Sequence, residues 1–99
     1  MSYKISVQAS EDIENIWLST FENWSLEQAD RYVNLIFEEI EYLADNPKSG
    51  RDFNHIRRNY RCSKVKSHIV FYRLTDTQNS IEIIRVLHQR MDIENRLSE

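Results

Sequence analysis

Apolar and polar side chains alternate at the start of the chain. Tyr3, Ile5, Val7 and Ala9 fall on one side and Lys4, Ser6 and Gln8 on the other, which predicts a first strand with one buried face. Ser10 then offers a helix cap, with Glu11 and Asp12 in the first turn near the positive helix end. Past it the period changes. Ile13, Ile16, Trp17, Thr20, Phe21 and Trp24 recur at steps of three and four and predict one stripe of a first helix. Ser25-Leu26-Glu27-Gln28 reads as a capping box that opens a second helix. The stripe of that helix is Leu26, Ala29, Val33, Ile36, Phe37, Ile40, Leu43 and Ala44. Two helices joined by almost nothing must turn back on each other as an antiparallel hairpin.

Asn46-Pro47-Lys48-Ser49-Gly50 stops the second helix. Pro47 cannot continue it, and Gly50 is expected in a turn geometry closed to other residues. Residues 51–59 are polar and basic and read as a short turn or loop. Three strands are expected next: Tyr60 to Lys66, Ile69 to Leu74 and Ile81 to Leu87. The last has Ile81, Ile83, Ile84, Val86 and Leu87 on both faces, which implies neighbours on either side in the sheet. Asp76 to Ser80 supplies the turn before it, and the tail from Met91 to Glu99 is expected to form a short helical end. The expected fold class is α+β: an N-terminal strand, an antiparallel helix hairpin, then a three-stranded antiparallel run completing a four-stranded sheet. No linker or repeat interrupts residues 1–99, which read as one domain.

Composition adds that the chain folds: 40% hydrophobic and 29% charged residues, with one Gly and one Pro, are globular proportions. No long apolar run suggests a membrane span. The opening residues hold no apolar signal core, and Cys62 has no disulfide partner, so a reducing, cytoplasmic location is expected. The net charge of −3 hides an asymmetry. Residues 1–45 carry two basic and ten acidic side chains, whereas residues 46–99 carry eleven basic and six acidic ones. Two faces with different partners are implied, one of those partners being acidic.

The chemical inventory is thin. His55, His68 and His88 are far apart, Cys62 has no companion at ligand spacing, and Gly50 is the only glycine. No metal site, cofactor motif, phosphate loop or nucleophile motif is therefore expected. The basic cluster says more. Arg51, Arg57, Arg58, Arg61, Lys64 and Lys66 lie close together, Tyr60 sits among them, and Arg73, Arg85 and Arg90 come from neighbouring segments. On one continuous strand Lys64, Lys66 and His68 would share a face. Such a patch suits a phosphate backbone or the carboxylates of an acidic protein segment. Metal-free RNA cleavage needs a base, a cation and an acid, which His68, His88, Tyr60 or Tyr72 with Arg61 or Arg85 would have to supply together. On the hairpin, Trp17 is expected in the core, Trp24 at the turn, and Tyr32 and Tyr42 half exposed, leaving scope for an apolar groove that takes a partner helix or strand.

Four stretches, in order, resemble the ParE-type toxins of plasmid-stabilisation modules, within the RelE/ParE superfamily. The first runs from Asp12-Ile13-Glu14-Asn15-Ile16-Trp17 to Glu22-Asn23-Trp24-Ser25-Leu26-Glu27-Gln28-Ala29. The second is Leu43-Ala44-Asp45-Asn46-Pro47-Lys48-Ser49-Gly50-Arg51. The third joins Ile56-Arg57, Tyr60-Arg61 and Ser67-His68-Ile69-Val70-Phe71-Tyr72-Arg73. The fourth is Ile83-Ile84-Arg85-Val86-Leu87-His88-Gln89-Arg90-Met91-Asp92. The resemblance covers about Ser6 to Leu97. Two positions depart from it, because the family often has Gly where this chain has Asn59 and Lys66.

The resemblance implies the toxin of a type II toxin-antitoxin module, neutralised by a cognate ParD-like antitoxin. ParE-type members act without catalysis, poisoning DNA gyrase by stabilising its cleaved DNA complex. RelE-type relatives instead cut mRNA on the ribosome, commonly with a tyrosine near the C-terminus. Here His88-Gln89-Arg90-Met91 is followed by no Tyr, an ending that resembles the ParE branch. The residues expected to touch target or antitoxin are Arg57, Arg58, Tyr60, Arg61, Lys64, His68, Arg73, Arg85, His88, Arg90 and Met91. DNA association would be indirect, through the antitoxin complex, and no membrane partner is implied. The alternatives are a metal-independent mRNA endoribonuclease and a weakly toxic antitoxin-binding homologue.

Overall fold

The computed structural model describes residues 2–75 and 80–98. The chain runs β1 (Ser2–Ile5), α1 (Val7–Asn23), α2 (Leu26–Asp45), β2 (Arg51–Asp52), β3 (Tyr60–Val65), β4 (His68–Leu74), β5 (Ser80–His88) and α3 (Ile93–Ser98). The expected turn at Asp76 to Ser80 lies, apart from Ser80, outside the described residues.

The sheet has five strands in the order β1-β5-β4-β3-β2, which corrects the expected four-stranded sheet with its three-strand run. The added strand is Arg51–Asp52, which pairs antiparallel with Cys62 and Arg61. Two exposed charged residues have no room for a period-two pattern, and charge is what an edge strand carries to discourage further pairing. β1 pairs parallel with β5, and the other pairings are antiparallel.

The first helix also begins earlier than its pattern suggests. Ser6 is the cap, its hydroxyl accepting from the Ala9 amide at 3.0 Å, and Ser10 lies inside the helix. Val7 and Ala9 extend the alternation by coincidence. Ala9 is fully buried with Ile13 and Ile16 at helical spacing. Ser25 caps α2 as expected, accepting from the Gln28 amide.

The two helices cover one face of the sheet. Ile13, Ile16, Ile36, Ile40 and Leu43 pack there against Val70, Tyr72, Ile81, Ile83 and Val86. The other face holds a second cluster of Cys62, Phe71, Leu87 and Leu97, with Phe53, Ile56, Tyr60 and Ile93 packed against it. A register shift between Phe71 and Tyr72 makes both faces work. Tyr72 pairs with Ile83 but Phe71 pairs with Arg85, so Ile84 is an extra residue on β5.

Tyr72 pins the loop after α2. Its hydroxyl donates to the Pro47 carbonyl at 2.8 Å and accepts from the Gly50 amide at 3.0 Å. Gly50 is needed for this approach and does not adopt a left-handed backbone. Asn59 and Lys66 do, with φ of 68° and 55°.

Candidate functional site

β1 stops pairing at Ile83, so the second half of β5 would be a bare edge. The start of α1 covers it with side chains. The Ser6 hydroxyl donates to the Ile84 carbonyl at 2.8 Å. Asp12 accepts from the Val86 amide at 3.0 Å and takes the Arg85 guanidinium in a two-point bond, Nε at 2.8 Å and Nη2 at 3.0 Å. A paired fork of this kind fixes Arg85 in place and neutralises it.

Beyond this clamp a groove of about 640 Å³ opens between α1 and the end of the sheet. Ile16 and Val86 line it together with Asp12, Asn15, Ser19, Thr20, His68, Arg85, His88, Met91 and Arg96. His68 and His88 face each other across β4 and β5, with ring centroids 5.2 Å apart and nearly perpendicular planes.

The hydrogen bonds fix how each imidazole is used. The Tyr32 hydroxyl accepts from the Ser67 amide at 3.1 Å and stands 2.7 Å from His68 Nδ1, against 3.5 Å from the Val65 carbonyl. Its one proton therefore goes to His68. The Arg90 amide donates to His88 Nδ1 at 3.1 Å. When a ring in this network is neutral, a proton accepted at Nδ1 places its own on Nε2. Burial lowers the pKa of His68, and the nearby His88 lowers it further, while Asp12 pulls the other way. The neutral form is the one this network holds.

The expected contact residues divide accordingly. His68, Arg85, His88 and Met91 meet at the groove, and Arg90 joins them through its backbone. None of Arg57, Arg58, Tyr60, Arg61, Lys64 or Arg73 lines it. Arg61 is structural, donating to the Gly50 carbonyl at 2.7 Å and the Lys48 carbonyl at 3.3 Å. Arg73 pairs with Glu82 at 2.8 Å. Tyr60 packs in the second apolar cluster. Arg57, Arg58, Lys64, Arg90 and Met91 are exposed.

Lys64, Lys66 and His68 do not share a face, because Lys66 turns the chain back and His68 opens the next strand. Tyr72 is withdrawn into the core, where burial raises its pKa despite the Gly50 amide. Trp17 is half-buried and its indole donates to Asp30, while Trp24 sits at the turn as the C-cap of α1 with its side chain exposed. Asp12 and Tyr32 are the residues that sequence reasoning missed. Their partners lie 73 and 36 positions away, and no local pattern marks such distances. Among the described residues no three His, Cys, Asp or Glu side chains are grouped to hold a metal ion, and no helix is long and apolar enough to cross a membrane.

Comparison with known proteins agrees with this architecture. The family described as "ParE toxin of type II toxin-antitoxin system, parDE" matches residues 3–93. Toxin ParE1 of Mycobacterium tuberculosis H37Rv is 39% identical over 95 residues, covering 96% of each chain. Toxin ParE1 of Caulobacter vibrioides is 37% identical over 95 residues, again covering 96% of each. Toxin ParE of Escherichia coli is 26% identical over 98 residues, covering 99% of this chain and 94% of its own. The solved chromosomal ParDE TA system from P. aeruginosa superposes with a TM-score of 0.74 at 22% identity, over 89% of this chain and 95% of that one.

Proposed function

The chain belongs to the ParE toxin family of type II toxin-antitoxin systems, and from that membership we propose that it binds DNA gyrase in the cytoplasm and stabilises its cleaved complex with DNA. A ParD-like antitoxin would neutralise it, setting acidic groups against exposed basic side chains such as Arg58 and Lys64. Any association with DNA would then run through that antitoxin complex.

The observation that carries the non-catalytic reading is the occupation of the sheet arginines. Arg85 is neutralised by Asp12, Arg73 is paired with Glu82, and Arg61 is tied to two carbonyls. Metal-free cleavage of RNA needs a cation at the scissile phosphate, and Arg85, which lines the histidine groove, is already clamped by a carboxylate. Exposed groups at this end of the sheet include Lys66, Arg90, Met91 and Arg96, and arginine and methionine are side chains that suit contact with a protein surface.

One observation favours a second reading. His68 and His88 lie side by side in an open groove, the placement a base and an acid would need. Expression without antitoxin decides between them. The gyrase reading expects lost supercoiling activity and accumulated cleavage complexes, weakened about tenfold or more by Arg90→Ala with Met91→Ala. Growth arrest with intact gyrase, and mRNA cleavage abolished by His88→Ala, would overturn it in favour of the nuclease.

A further inference from the structure

Eight of the chain's thirteen Lys and Arg side chains fall between Asn46 and Thr75. The one carboxylate in that stretch is Asp52, with Asp45 and Asp76 just outside it. Pairing between β2 and β3 sorts the charges by face, because residues opposite each other share a side of the sheet. Arg51 stands opposite Cys62, which belongs to the apolar cluster on the face away from the two long helices. Asp52 stands opposite Arg61 and so falls on the other side, its carboxylate accepting from the Asn54 amide at 2.7 Å.

Residues 53–59 form a fixed platform beside Arg51. Phe53 and Ile56 pack into the same apolar cluster, Phe53 against Phe71 with ring centroids 5.3 Å apart. The Phe53 amide donates to the Tyr60 carbonyl at 2.9 Å, and the Asn59 amide donates to Asn54 Oδ1 at 2.8 Å. Arg51, His55, Arg57 and Arg58 are exposed. α3 lies on this side of the sheet too, but its stretch sets Arg90 and Arg96 against Asp92 and Glu94 and leaves the balance unchanged.

The kind of surface around these cations selects the partner. Among the described residues, no large apolar side chain between Leu43 and Arg90 is exposed. A protein interface is built around a desolvated apolar centre, which this patch lacks. A single nucleic-acid strand needs open aromatic faces on which its bases stack, and Phe53 and Tyr60 are packed into the cluster. A duplex backbone needs only cations held in place. We propose that the platform from Arg51 to Arg58 binds the phosphate backbone of duplex nucleic acid without reading its sequence. The free chain then touches nucleic acid itself, beyond any indirect association through an antitoxin complex. An antitoxin seated on Arg58 would compete for the same surface. The inference is independent of gyrase.

The test uses the free full chain and a short fluorescent DNA duplex, read by anisotropy. The chain's net charge is −3, so binding has to come from a local patch and not from overall attraction. It should saturate, and log K should fall with log salt at a slope of about −3, as expected for about three phosphates neutralised. Arg51→Gln with Arg58→Gln should weaken binding about tenfold and reduce the slope by about two. Arg51→Lys with Arg58→Lys should keep most of the affinity, because a point charge suffices for a phosphate. Lys4→Gln with Arg31→Gln, exposed on the acidic half, should change nothing. An RNA duplex of equal length should bind within about tenfold of the DNA, since phosphates alone are contacted. A larger difference between the duplexes, no saturable binding, tighter binding of a single strand, or equal weakening by the two Gln pairs would overturn the proposal. So would polyglutamate that displaces the labelled duplex as well as unlabelled duplex does, since the patch would then fit an acidic protein segment.

Discussion

Gly50 is required by what stands beside it. A Cβ built there would lie 2.2 Å from the Tyr72 hydroxyl and 2.8 Å from two of its ring carbons. Tyr72 is fully buried and cannot retreat. Gly50→Ala should therefore lower stability by about 1–3 kcal/mol, the usual cost of overpacking, read as a shift of the urea midpoint. Adding Tyr72→Phe should recover part of that loss, because the closest clashing atom is removed. Lys66 presents the opposite case. Its left-handed backbone costs a side-chain-bearing residue about 1–2 kcal/mol, and glycine gives some of that back as entropy. Lys66→Gly should stabilise the chain by about 0.5–1 kcal/mol on the same scale. Asn59→Gly should change little, because Asn tolerates this region well and its amide is already seated on the Asn54 side chain at 2.8 Å. Urea midpoints moving the other way would mean that these turns are set by their side chains and not by backbone conformation.

At the scale of elements, α1 is both a layer of the core and the cover of an open strand edge. Asp12 joins the two roles, since it takes the Arg85 fork and the Val86 amide together. Its side chain is 14% exposed and that of Arg85 12%, so breaking the pair strands a poorly solvated charge. Asp12→Ala should cost about 2–4 kcal/mol in urea unfolding. Asp12→Ala with Arg85→Met should cost less than Asp12→Ala alone, because no unpaired cation remains. The same elements show where sequence patterning reaches and where it stops. α2 was legible because a cap and eight apolar positions at helical spacing agree. β2 was not, because two charged residues become a strand only through Cys62 and Arg61. The site was less legible still. Had the Tyr72–Ile83 register continued, His68 would face Leu87, and only the extra residue at Ile84 brings His88 opposite it. A bulge of one residue leaves no mark in a periodicity. It nevertheless decides which side chains meet.

At the scale of the whole molecule, the histidine cluster sits where α1, α2, β4 and β5 converge, so its protonation bears on global stability. His68 faces Tyr32 from α2, Asp12 from α1 and His88 from β5, with Arg85, Glu11 and Arg96 along the same groove. Its pKa in the folded chain lies below the ordinary 6.5, chiefly through burial. The unfolded chain therefore takes up the proton first as pH falls. Stability is unaffected by His68 well above 6.5, declines as pH drops below that value, and levels off once the folded form is protonated too. Protonation also turns Nδ1 into a donor, so the Tyr32 hydroxyl must accept there and turn its own proton toward the more distant Val65 carbonyl. The urea midpoint should accordingly fall between pH 7.5 and pH 5.5, and His68→Gln should flatten that part of the profile. The acidic half of the chain is a competing source of pH dependence, and the comparison with His68→Gln separates the two. A decline in the wild type that persists unchanged in His68→Gln would assign the effect to other groups, and the cluster would then be a packing feature with no hold on the proton.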